Sequence, residues 1–118
     1  MVRLPMQMLY KIMTSDEWAR AERDGVFEGS AVDHRDGFIH LSAAYQARET
    51  AARHFAGQAD LVLVAFGADD LAGLRWEPSR GGDLFPHVYG TLPAAAAAWV
   101  KPLPLAGGAH QFPDEMPS

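Results

Sequence analysis

Three short segments hold the side chains that could do chemistry. The first is Phe38-Ile39-His40-Leu41-Ser42. An extended backbone alternates its side chains, so Phe38, His40 and Ser42 share one face while Ile39 and Leu41 take the other. His40 stands just before a helix start, where free backbone amides favour anions. An imidazole there could orient a ribose hydroxyl or a carbonyl, or be a half-buried histidine bonded to neighbouring backbone. Ser42 is placed to cap the helix, and with His40 it faces any ligand.

The second segment is Trp76-Glu77-Pro78-Ser79-Arg80-Gly81-Gly82-Asp83. A carboxylate against an indole face has its pKa raised and can act as an acid or base, so Glu77 joins His40 as a candidate catalytic group. Arg80, on a loop of small residues, could clamp a phosphate or carboxylate. The plainer alternative is a surface strand end with a solvated loop. The third segment is Phe85-Pro86-His87-Val88-Tyr89-Gly90. Phe85, His87 and Tyr89 share a face that could stack on a planar ring and offer it two hydrogen-bonding tips. The alternative is a packed edge strand.

Other chemistries lack their residues. The chain has no cysteine, which removes thiolate catalysis, disulfides and cysteine-ligated zinc. Five histidines together with Asp33 and Asp36 raise the question of a metal. No His-x-x-x-His or Glu-x-x-His pair sets them at ligand spacing, so none is expected. No Gly-x-Ser-x-Gly elbow occurs.

The elements that must position these residues read as follows. Met8 to Met13 is a first strand. Thr14 and Glu17 form a capping box for a helix from about Ser15 to Asp24, with Trp18 and Ala21 on its apolar face and Gly25 at its end. Val26 to Glu28 is extended. Asp33 to Gly37 has turn chemistry, and Phe38 to Leu41 is a strand. A second helix runs from about Ala43 to Ala56. Leu61 to Phe66 is a continuous apolar run, hence a central strand buried on both faces. Asp69-Asp70-Leu71 is a single turn. Leu74 to Glu77 is a strand ended by Pro78, and Arg80 to Asp83 a flexible loop. Phe85 to Tyr89 is extended, with Pro86 marking an edge or a bulge. From Pro93 one helical turn leads into a strand through Leu103, and Gly107 to Ser118 forms an extended or mobile tail. Short strands mixed with two main helices make an α+β domain over 1–106 with small mixed or antiparallel sheets. Strict βαβ alternation and a glycine-rich phosphate loop are both lacking.

At 118 residues and 48% hydrophobic composition the chain fits one folded domain. Its net charge of −5, with ten scattered basic residues, argues against bulk nucleic acid as a partner. No apolar run has membrane-spanning length, and Met1 to Leu9 lacks the features of a signal peptide. The cytoplasm is the default location.

The chain also resembles a known family. The residues that carry the resemblance are Leu9-Tyr10-Lys11-Ile12, Trp18, Asp36-Gly37-Phe38-Ile39-His40-Leu41-Ser42, Gln46, Thr50-Ala51, Phe55, Asp60-Leu61-Val62-Leu63, Leu71, Trp76-Glu77, Phe85-Pro86-His87-Val88-Tyr89-Gly90 and Leu92-Pro93. Together they resemble the bacterial domain-of-unknown-function family 952 over about Leu9 to Leu103. That family is similar to the ADP-ribosyltransferase-like fold and, within it, to RNA 2′-phosphotransferases. Those enzymes carry a His-Gly-Thr segment on the first strand and His-x-His-Leu-Ser before a helix. Here His40, Leu41 and Ser42 match the second segment. The first falls on Tyr10-Lys11-Ile12, which lacks the histidine that grips NAD. The resemblance implies the ADP-ribosyltransferase-like fold, NAD as the candidate cofactor and Lys11 among the ligand contacts.

Two readings follow. In one, the protein is an ADP-ribosyltransferase- or phosphotransferase-like enzyme acting on a nucleotide-like small molecule. His40 orients the ligand, Glu77 supplies a carboxylate, His87 and Tyr89 line the ring site, and Arg80 holds a phosphate. In the other, it is a non-catalytic module that binds a small ligand or a partner protein, which the missing first-strand histidine favours. Self-pairing of an edge strand would make it a homodimer.

Overall fold

The structure, a computed structural model, describes residues 7–118 apart from the side chain of Arg80. The first six residues, which fall in the stretch expected to hold no signal peptide, lie outside it. Strand β1 (Met8–Thr14) runs directly into helix α1 (Ser15–Asp24). The join is a capping box: Thr14 Oγ1 accepts from the Glu17 amide at 3.0 Å, and Glu17 Oε1 accepts from the Thr14 amide at 2.9 Å. β1 pairs antiparallel along its whole length with β5 (Leu61–Gly67), the continuous apolar strand. On the far side of β5 lies β9 (Ala97–Leu103), entered from a single 3-10 turn at Ala94–Ala96. Alternation along β1 and β5 divides the core. Leu9, Met13, Val64 and Phe66 pack with Trp18 and Ala21 of α1 on one face. Tyr10, Ile12, Leu63 and Ala65 pack on the other with Ala51 of helix α3 (Ala44–His54).

The short strand β2 (Val26–Phe27) pairs with β8 (Leu92–Pro93). The segment Asp33 to Gly37, expected as a turn, is largely a helix, α2 (Ala31–Asp36). Its start is fixed by Asp33, whose carboxylate accepts from the Ser30 amide at 2.9 Å, a box the turn-rich composition conceals. Gly37 closes α2 at φ 86°, a left-handed conformation that glycine adopts without strain. The chain then forms β3 (Ile39–His40) and β4 (Ser42–Ala43). β4 joins the first sheet but pairs only with Leu9 and Tyr10, so among the described residues the edge of β1 beyond Tyr10 has no neighbouring strand on that side.

A second sheet has the order β3, β7 (Asp83–Val88), β6 (Leu74–Ser79). Two expectations about proline are corrected here. Pro78 does not end β6, because β6 is an outer strand and a missing N–H costs nothing on its open side. Pro86 sits in the middle strand of its sheet, not at an edge. β3 is only two residues long and meets β7 at His87 and Val88, so Pro86 lies beyond its ladder, where its carbonyl accepts from the Leu41 amide at 3.0 Å. The loop after β6 is a 3-10 turn, Arg80–Gly82, closing the β6–β7 hairpin. After Leu103, β10 (Leu105–Ala106) and β11 (Ala109–His110) form a small hairpin. Beyond it Phe112 and Met116 pack against the Tyr10 side of the core, and the Tyr10 hydroxyl donates to the Pro117 carbonyl. The fold is thus α+β, with small antiparallel sheets and, among the described residues, three helices. No helix among them is long and apolar enough to cross a membrane.

Candidate functional site

The unpaired edge of β1 forms one wall of a cavity of about 540 Å³, within the range of small-molecule sites. Lys11, Ile12 and Thr14 come from that edge, Val32, Arg35 and Asp36 from α2, and Thr50, His54 and Phe55 from α3 and its end. His40, Ser42, Phe85 and His87 come from the short strands opposite.

Asp33 organises the side chains around this cavity. Its carboxylate is buried and receives the Ser30 amide and hydroxyl on Oδ2, at 2.9 and 3.1 Å. Lys11 Nζ lies 3.0 Å from the same oxygen, and the His40 amide donates to Oδ1 at 3.1 Å. His40 Nδ1 approaches Oδ1 at 2.6 Å. Burial alone would raise the Asp33 pKa. The His40 ring bond, the Lys11 charge and the backbone donors outweigh it and hold the carboxyl well below its usual range. Lys11 Nζ also donates to the His40 carbonyl at 2.9 Å, tying β1 to β3. Burial pulls the Lys11 ammonium down from its ordinary value, and Asp33 opposes that pull.

His40 is thereby held from behind at Nδ1. Its other nitrogen, Nε2, lies 2.9 Å from Asp36 Oδ2. Across the ladder His40 is paired with His87, and the two rings meet edge to face with centroids 5.5 Å apart. His87 is likewise held from behind, its Nδ1 2.9 Å from Glu77 Oε1, the same oxygen that accepts the Tyr89 hydroxyl at 2.8 Å. Those two bonds pull the Glu77 carboxyl below its usual value, while the bond to Glu77 pushes the Tyr89 phenol up. An ionised Glu77 can only accept a hydrogen bond from His87 Nδ1–H, which fixes the tautomer of His87 and leaves Nε2 as the basic nitrogen. His87 is buried, and its Nε2 has no hydrogen-bond partner among the described residues. Phe38 stacks on the His87 ring at 4.0 Å and touches the rings of His40 and Tyr89, locking the group in place.

The two imidazoles and Ser42 of the expected residues therefore share the cavity. Glu77 is not on its wall and reaches it through His87; its pKa moves down, not up. Trp76 points to the opposite face of β6, as alternation along a strand requires, so no indole shields the carboxylate. Tyr89 lies past the end of β7, beside Glu77 and under the Arg75 guanidinium, outside the cavity lining. Lys11 lines the cavity, but its ammonium is occupied by Asp33. The Arg80 side chain lies outside the described residues. Ser42 does not cap α3. It falls one residue early; Gln46 Oε1 accepts from the Ala43 amide at 3.0 Å, and Ser42 Oγ meets Thr50 Oγ1 at 2.9 Å. Sequence reasoning missed Asp33 and Asp36 as partners of His40. The signal was the Ser30-x-x-Asp33 spacing, which marks a helix start.

A family model described as a protein of unknown function, DUF952, matches residues 12–100. The chain belongs to the DUF952 family. Among solved structures it is similar to protein CC0527 from Caulobacter crescentus. The crystal structure of that protein is 51% identical, covers 88% of this chain and 93% of its own, and superposes with a TM-score of 0.85. A double mutant of CC0527 gives 49% identity, the same coverage and a TM-score of 0.84. The solution structure gives 50%, 89% and 91% coverage, and 0.79. No curated protein gives a significant match.

Proposed function

We propose that the cavity binds a nucleotide-like small molecule, with NAD-type ligands the first candidates, and that His87 exchanges a proton with it. What carries this reading is one observation: two imidazoles on paired strands, each with a carboxylate at Nδ1, line a single cavity of about 540 Å³. A carboxylate-backed imidazole with its tautomer fixed, as at His87, is a recurrent arrangement for general acid–base work. In this reading His87 Nε2 is the acceptor, His40 orients the ligand, and Glu77 and Asp33 are positioning residues. ADP-ribosyl transfer, which the resemblance implies, is the more demanding version. It needs a carboxylate facing the ribose as positive charge develops there, and Glu77 would have to release His87 to supply it.

Isothermal titration with NAD, ADP-ribose and AMP tests the reading. Binding is expected, weakened about tenfold by His40→Ala through loss of a ligand hydrogen bond. Absence of heat from all three ligands at millimolar concentration overturns it. A second reading, a non-catalytic binding module on the same fold, draws on Lys11. Tyr10 stands where the resemblance expects an NAD-gripping histidine, and the next residue, Lys11, spends its charge on a buried ion pair. Ligand binding without product after prolonged incubation, followed by chromatography, favours that module.

A further inference from the structure

Asp33 and Asp36 both bond His40, yet they are held in opposite ways. Asp33 is enclosed, its side chain 1% exposed, and backbone as well as side-chain donors fix it. Asp36 ends α2 with its side chain 32% exposed, and only side chains hold its carboxylate. Arg35 Nε reaches Oδ1 at 3.0 Å and its terminal nitrogen Nη2 reaches Oδ2 at 3.5 Å. His40 Nε2 reaches the same Oδ2 at 2.9 Å. Arg35, Asp36 and His40 all line the cavity. A guanidinium fork with an imidazole N–H beside it is a donor set that suits a phosphate as well as a carboxylate.

We propose that the Asp36 carboxylate is an internal placeholder, filling an anion subsite built from Arg35 and His40 that a phosphate of the ligand takes over on binding. This rests on the nucleotide reading of the cavity and specifies it. The phosphate docks at the α2 side, and Asp36 swings to solvent, for which its exposed position leaves room. The neighbouring imidazole of His87 stays free for the rest of the ligand. The subsite selects nucleotides over nucleosides, because an uncharged ligand has nothing to exchange for Asp36. Competition by Asp36 keeps the affinity for free phosphate low while the cavity is empty.

The test compares AMP with adenosine by isothermal titration, on the wild type, Asp36→Ala, Asp36→Asn and Arg35→Gln. Removing the competing carboxylate is expected to tighten AMP roughly fivefold, the upper end of the worth of an exposed ion pair, and to leave adenosine unchanged. Arg35→Gln is expected to weaken AMP and spare adenosine. If Asp36→Ala lowers the urea midpoint, the isosteric Asp36→Asn carries the comparison. Adenosine binding with no AMP gain in either Asp36 variant overturns the placeholder and leaves the cavity reading standing. Failure of both ligands on every variant overturns both.

Discussion

Replacing Asp33 by asparagine should cost this protein much of its stability. The side chain keeps its shape, but the neutral amide offers one acceptor oxygen where the carboxylate serves the Ser30 amide and hydroxyl, Lys11, and the His40 amide and ring. Lys11 would then be a buried ammonium, its side chain 6% exposed, with its counter-charge gone. Breaking a buried pair by removing one partner costs about 3–5 kcal/mol, against a total of roughly 5–15 kcal/mol for a domain of this kind. Urea unfolding at pH 7 should therefore show a midpoint lowered by about a fifth or more at similar slope. A second arm separates charge from packing: Lys11→Met together with Asp33→Asn should recover part of the loss, because the stranded cation is gone. The pH dependence has a definite sign. The Asp33 pKa is depressed in the folded state, so its contribution is fully present above the unfolded value of about 3.9 and is lost as pH falls below it. The gap between wild type and variant should narrow in acid. A loss under about 1 kcal/mol at pH 7, or a gap constant from pH 7 to pH 3, would refute the buried-pair argument.

Glu77→Gln removes the anion that raises the Tyr89 phenol. The Tyr89 titration, isolated by subtracting a Tyr89→Phe control in ultraviolet absorbance, should move to lower pH. Gly73→Ala should cost more than about 1 kcal/mol, since Gly73 has φ +75° and a Cβ there would lie 2.5 Å from the Tyr89 carbonyl oxygen, which is backbone and cannot yield cheaply. Thermal melting checks this. Gln46→Ala leaves the Ala43 amide and the Leu84 carbonyl without their partner and should cost about 1–3 kcal/mol, whereas Ser42→Ala should cost less, at about 1 kcal/mol, because Ser42 is not the cap.

What was legible in the sequence is what local physics decides. β1, α1 and its capping box, the buried run of β5 and the turn into β9 each announce themselves through alternation, caps or helix stops within a few residues. α2 escaped because Asp33-His34-Arg35-Asp36, followed by Gly37, satisfies turn chemistry as well as helix chemistry. Its deciding bond runs from Asp33 back to Ser30, outside the segment that looked like a turn. Pro86 misled for a different reason: a proline is excluded from a central strand only where the neighbouring ladder needs its N–H, and β3 stops short of it. The site followed the same division. His40 and His87 were recognisable as residue types beside strand ends, but their pairing depends on β3 meeting β7, a contact between distant segments that no local signal encodes. Glu77 was read for its neighbour Trp76, when strand alternation already sent the two side chains to opposite faces.

His87, on the cavity wall, donates its Nδ1 proton in a hydrogen bond to Glu77, and its Nε2 has no partner among the described residues. Long-range nitrogen–proton correlation spectra of the imidazoles report this directly, with and without ADP-ribose. An Nδ1–H tautomer is expected for neutral His87, with a change at its Nε2 when the ligand is added. An Nε2–H tautomer, or an Nε2 signal indifferent to saturating ligand, would contradict it.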